Sequence, residues 1–160
     1  MKVKQFRYST DNFTYLLYDN KSAVIIDGGA IENVLLFIEA HRLDLKYIVN
    51  THGHADHTGG NRELVNRTKV DLSDNRILRE NKFLQLGNQK IEVLHTPGHT
   101  QDSICFHVDK FLITGDTLFN GTVGNCFSGD LKSFYNSIKI LMAFPDETVI
   151  YAGHDYIKDS

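Results

Sequence analysis

"NTHGHADHTGG", Asn50–Gly60, packs His52, His54, Asp56 and His57 into six residues. With 8 histidines in 160 residues, a window of six should hold about 0.3 of one, and this window holds three and an aspartate besides. Imidazole nitrogens and carboxylate oxygens are metal ligands, so the crowding points to a metal before it points to a solvated loop. The stretch follows "KYIVN" (46–50), a short apolar run of the kind a buried strand presents. A helix is predicted to follow it, from Thr58 through Arg67. The cluster therefore sits just past a strand end.

The same placement recurs three times. "IEVLH" runs into "TPGHT" with His99, "FLIT" into "GDTLF" with Asp116, and "VIYA" into "GHDY" with His154. Strand ends on one edge of a sheet converge in space, and the loops there are the usual home of sites. Each loop also carries a glycine (Gly53, Gly98, Gly115, Gly153), expected to let the backbone turn sharply. His52, His54 and His99 supply three imidazoles for one ion. Asp56, His57 and His154 supply ligands for a second, and Asp116 is left to bridge. Two-metal sites of this kind hold their ions roughly 3.5–4 Å apart around a shared hydroxide. With no thiolate in the set, two divalent ions are expected, zinc first, with iron or manganese also suited. His41, His95 and His107 fall on a helix end, a strand end and a strand surface and are read as ordinary.

The rest of the chain supplies the frame. Strands are predicted over 3–8, 13–18 and 22–27, the last stopped by Gly28-Gly29. A helix over 31–42 sets Ile31, Val34, Leu35 and Ile38 on one face. Residues 82–86 and 90–94 flank "GNQ" as a hairpin, and "SICFHV" and "FLITGD" flank Asp109-Lys110 likewise. Asp130 reads as the N-cap of a helix through 142 whose buried side would be Leu131, Phe134, Ile138, Leu141 and Met142. A last strand is predicted over 148–154. Strands at both ends with interleaved helices make an α/β architecture.

Composition excludes several classes. A chain of 160 residues with 41% apolar and 23% charged positions fits one ordinary globular domain. A net charge of −3 gives no electrostatic argument for nucleic acid or an anionic membrane. No apolar stretch is long enough to span a bilayer, and no basic segment leading into an apolar one opens the chain, so a cytoplasmic protein is expected. Cys105 and Cys126 lack the spacing of a disulfide framework or a zinc finger. Oligomeric state is left open.

Taken in order, HxHxDH at 52–57, His99, Asp116 and His154 resemble the signature of the metallo-β-lactamase superfamily. "STDNFTYLLYDNKSAVIIDGG" (9–29), "TPGHT", "GDTLF" and "AGHDY" are similar to its glyoxalase II (hydroxyacylglutathione hydrolase) branch. The resemblance implies an αββα sandwich, two mixed β-sheets flanked by helices, with the metals at one edge between the sheets. It implies a single domain over 1–160, without the C-terminal helical domain of glyoxalase II. By position it assigns His52, His54 and His99 to the first metal, Asp56, His57 and His154 to the second, and Asp116 to both. Asp27 would organise the site without being a ligand. The activity implied is hydrolysis of a small acyl thioester by a metal-bridging hydroxide, with Asp56 and Tyr156 as catalytic residues and Tyr156 as a donor toward the oxyanion.

The departures matter too. That branch has a Lys and, two residues on, a Tyr to hold glutathione, where this chain has Asn125 and Phe127. A persulfide dioxygenase, with one iron on His52, His99 and Asp116, is the alternative on the same fold, and it resembles this chain in "HADH" and "HDY". It has Arg-Thr-Asp where this chain reads Asn125-Cys126-Phe127. A domain that keeps its metal only for folding is a third reading. The full, open-edged ligand set argues against it, because structural zinc sites are closed.

Overall fold

A computed structural model describes residues 1–156. The first half forms a four-stranded sheet in the order β1-β2-β3-β4: Lys2–Tyr8, Asn12–Tyr18, Ser22–Ile26 and Asp44–Val49. The first three run antiparallel to one another. α1 (Ile31–Ala40) then carries the chain across so that β3 and β4 pair in parallel. Past the ligand-rich turn come α2 (Ala55–Thr58), α3 (Asn61–Thr68) and α4 (Asn75–Asn81). The second half forms a five-stranded sheet from β5 (Phe83–Leu86), β6 (Gln89–His95), β7 (Ile104–Val108), β8 (Phe111–Gly115) and, at the end, β11 (Val149–Ala152). β9 (Leu118–Phe119) and β10 (Thr122–Val123) make a small ribbon beside it, and α5 (Leu131–Leu141) crosses over to β11. The order β11-β8-β7-β6-β5 mixes one parallel pair with antiparallel ones.

Side-chain alternation explains the layering. In β2 and β3, Tyr15, Leu17, Val24 and Ile26 point into a core shared with Ile91, Val93, Phe106 and Ile113 of the other sheet. Their neighbours Leu16, Ala23 and Ile25 point the other way, onto Val34 of α1 and Leu64 of α3. Behind the second sheet, Cys105 and Leu112 lie under Leu141 of α5. Successive strand residues face opposite sides, so strands covered on both faces must be apolar throughout, as "YLLY" and "AVII" are. Each fully buried Leu or Ile contributes roughly 1.5–3 kcal/mol. This is the expected αββα sandwich. Among the described residues no helix is long and apolar enough to cross a membrane.

Three local expectations are corrected. The helix predicted over 58–67 is two pieces. The chain coils at Ala55, inside the ligand cluster, and breaks at Gly59-Gly60 before α3. A Cβ at Gly60 would collide with the Gly28 carbonyl oxygen, so the break lets two loops touch. α4 and the β9–β10 ribbon add to the predicted elements. α4 is short and polar, and two-residue strands are below what alternation reveals. In α5 the Asp130 cap is present, its carboxylate accepting from the Ser133 amide at 2.9 Å. The buried face, however, is Phe134, Ser137 and Leu141, while Leu131 and Met142 are 72% and 66% exposed. Docking on the Pro97-Gly98 turn sets that rotation. Ser137 donates to the Pro97 carbonyl at 2.7 Å, and the Phe134 ring lies where a Gly98 Cβ would be.

Candidate metal centre

The ends of β4, β6, β8 and β11 meet at one edge of the sandwich. The Ile104 amide donates to Thr51 O at 2.8 Å, Gly153 to Gly115 O at 2.8 Å, and Phe13 to Gly153 O at 2.9 Å. These bonds fix the ligand-bearing loops against one another. All seven residues of the predicted set converge there.

His54 Nδ1 lies 3.0 Å from His52 Nε2 and 3.1 Å from His99 Nε2. His57 Nε2 lies 3.1 Å from His154 Nε2, and Asp56 Oδ2 is 3.3 Å from His154 Nε2 and 3.6 Å from His57 Nε2. Asp116 stands between the groups, Oδ1 being 3.4 Å from His57 and Oδ2 3.6 Å from His99 and 3.3 Å from His154. His52, His57 and Asp116 form a further set whose ligand atoms fall within 4.8 Å of one another, so the two groups abut. Ligands about 2.0–2.1 Å from a tetrahedral ion are roughly 3.3 Å apart, and these separations bracket that edge.

The hydrogen bonds behind the candidate ligands aim their lone pairs. The Asp27 carboxylate, buried at the end of β3, accepts the Thr51 amide and hydroxyl, both at 2.7 Å, and His57 Nδ1–H at 3.0 Å. With its hydroxyl proton given to Asp27, Thr51 Oγ1 accepts from His52 Nδ1–H at 3.0 Å. His99 Nδ1–H donates to Asn125 O at 3.0 Å and His154 Nδ1–H to Asp11 Oδ1 at 3.1 Å. Four imidazoles thus carry their proton on the outer nitrogen and turn a bare Nε2 inward. Asp116 Oδ1 is buried without any hydrogen-bond partner. Converging lone pairs around an orphaned carboxylate oxygen call for cations, and the donor set fits divalent metal.

Without a metal, a proton takes the place. Burial disfavours charge on His57, but the facing Asp116 and Asp27 carboxylates outweigh it and hold the imidazole up at about 10. His52, buried and next to His57, is pushed down to about 4. The Asp116 carboxyl is held well below its usual range: burial opposes this, and the facing His154 and His57 imidazoles, 3.3 and 3.4 Å away, overcome it.

The family model of the metallo-beta-lactamase superfamily matches residues 10–73 and 75–154. The chain belongs to that superfamily. A hydroxyacylglutathione hydrolase from Pelagibacter ubique is 35% identical over 100% of this chain and 73% of its own length. A probable hydroxyacylglutathione hydrolase from Schizosaccharomyces pombe is 37% identical over 94% of this chain. The chain spans 66% of that relative. The crystal structure of ETHE1 from Myxococcus xanthus superposes with a TM-score of 0.84 at 29% identity, covering 100% of this chain and 78% of that one.

Around this metallo-β-lactamase centre, several residues fall otherwise than expected. Gly98 and Gly115 do adopt positive φ, but Gly53 and Gly153 do not, and at Gly153 the reason for glycine is space. A Cβ there would collide with Asp116 Oδ1. Tyr156 is more than half exposed, with its ring stacked on His154 (5.4 Å between centroids) and tilted on Phe119 (4.6 Å). Phe127 is an exposed wall, its ring 5.7 Å from His54 and 5.3 Å from His99, while Asn125 contributes its carbonyl to His99. Cys126 is a free, half-buried thiol 3.6 Å from Ser128 Oγ, and Cys105 is core, its thiol pushed by burial up to about 12. Sequence reasoning assigns no role to Thr51, Asp11, Asn12 or Tyr8. The available signal was a polar Asp-Asn pair at the mouth of an apolar strand.

Proposed function

We propose that the protein is a two-metal hydrolase of small acyl thioesters, similar to the hydroxyacylglutathione hydrolases it matches, with zinc in both positions. The observation that carries this reading is the pair of converging ligand groups joined by Asp116, whose Oδ1 has no partner of its own. Divalent ions bound there would supply hydroxide at neutral pH and polarise an acyl carbonyl. His52, His54 and His99 would hold one ion, Asp56, His57 and His154 the other, with Asp116 shared. Asp27 and Thr51 keep His57 and His52 in the tautomers that offer Nε2. Phe127 and the Tyr156 ring, backed by the buried Phe119, would wall the substrate and thin the water around it. Partial burial and the Asp116, Asp11 and Asp56 carboxylates raise the Tyr156 pKa, so its hydroxyl keeps its proton and is a donor for the oxyanion. A thiolate leaves without a strong acid, so the site needs none. Two free thiols, Cys105 and Cys126, suit a reducing cytoplasm.

Metal analysis of loaded protein, coupled to a panel of small thioesters, tests the proposal. Two ions per chain with thioester turnover are expected. A content that stays at one iron, with oxygen uptake on a persulfide, would move the protein to the dioxygenase reading.

A further inference from the structure

The two ligand groups are held by different pieces of chain. In the first group, the outer nitrogens of His52 and His99 bond Thr51 and Asn125. The second is gripped by the turn between β1 and β2. Asp11 Oδ1 accepts from His154 Nδ1–H, and the backbones of Asn12 and His154 form an antiparallel bridge. The Asn12 side chain is buried, and its amide donates to Asp56 Oδ2 at 3.0 Å while facing His154 Nε2 at 3.4 Å. The Tyr8 hydroxyl donates to the Asp56 carbonyl at 2.6 Å, fixing the backbone that carries the carboxylate. The Asp155 amide returns to Asp11 O at 2.9 Å, closing the turn onto the His154 loop.

This grip matters because Asp56 is the loosest ligand. Its side chain is 49% exposed against 8% for Asp116 and 0% for His57, so few neighbours restrict its rotation. A carboxylate that swings to solvent leaves the second ion with two imidazoles and a share of Asp116. Outer partners of metal ligands are typically worth 10–100-fold in affinity. We infer that Tyr8, Asp11 and Asn12 are positioning residues that set the occupancy of the second metal position, and hence whether the centre holds one ion or two. The inference rests on the two-metal reading above.

The full chain, stripped and titrated with Zn(II) against a chromophoric chelator, and with Co(II) followed by its visible bands, tests this. Asn12→Ala and Asp11→Ala lower the second binding constant 10–100-fold and leave the first within a factor of about two. Excess metal restores thioester turnover, which a general loss of structure would not allow. Because Asn12 is buried, Tyr8→Phe accompanies it: the ring stays packed over Gly29 and only the bond to Asp56 is lost, with a smaller drop of the same selectivity. Parent-like second-site affinity in all three variants overturns the proposal, as does equal weakening of both sites. A parent that takes up only one ion overturns the two-metal reading itself.

Discussion

Asp27→Asn tests how the site sets its protonation pattern. Every group facing the Asp27 carboxylate donates: the Thr51 amide and hydroxyl at 2.7 Å, His57 Nδ1–H at 3.0 Å and the Asn50 amide at 3.4 Å. An asparagine of the same size brings an NH₂ that must face one side of this ring of donors. The Thr51 backbone N–H cannot reverse. The Thr51 hydroxyl and His57 imidazole can, one by rotating and the other by moving its proton to Nε2. The amide therefore turns toward them, and His57 holds its single proton on Nε2, where the loaded site needs a lone pair. Loading the second ion must undo this and leave one buried donor unmatched, at about 1–3 kcal/mol. That is roughly a five- to 150-fold loss of affinity. Chelator competition on the purified variant measures it, with circular dichroism to show that the fold survives. An Asp27→Asn variant that holds its second ion as tightly as the parent would refute the tautomer argument, leaving Asp27 a mere filler of space.

Asp56→Asn weakens the second position and lowers thioester hydrolysis by orders of magnitude while the melting temperature of the metal-free protein stays near the parent's; unchanged turnover would end the two-metal mechanism. The double change Asn125→Lys, Phe127→Tyr improves kcat/KM on a glutathione thioester by about three- to thirty-fold, since a hydrogen bond to a charged group is worth at most about 1.5–3 kcal/mol and less at an open site. A simple thioester without the glutathione carboxylates gains nothing, and equal gains on both would sink the account. Gly153→Ala drives a methyl into Asp116 and lowers metal uptake at both positions, read by metal content after dialysis. Metal-free protein is most stable near pH 6.5. His57, raised to about 10, contributes stability that is complete below 6.5 and lost as pH climbs through 10, while His52, lowered to about 4, contributes stability present above 6.5 and lost as pH falls through 4. A melting temperature that rises steadily from pH 4 to 10 would contradict the His57 assignment, and one that falls steadily would contradict the His52 assignment.

The sequence by itself determined the candidate ligands and the α/β succession of elements, while the αββα layering entered through the family resemblance. Seven candidate ligands were readable because each follows a strand end. The Asp130 cap was equally legible, being a local bond between residues three apart. What the sequence could not set was anything decided by residues distant along the chain. The rotation of α5 depends on Ser137 reaching Pro97, so a stripe with apolar residues to spare gave no sign that Leu131 and Met142 face water. The helix break at Gly60 depends on Gly28, 32 positions earlier, coming within touching distance. The tautomers of His57 and His154 depend on Asp27 and Asp11, which are 30 and 143 residues away from the rings they orient. Which atoms can bind metal follows from residue type, and type is written in the chain. Which way their lone pairs point depends on hydrogen-bond partners that only folding brings together.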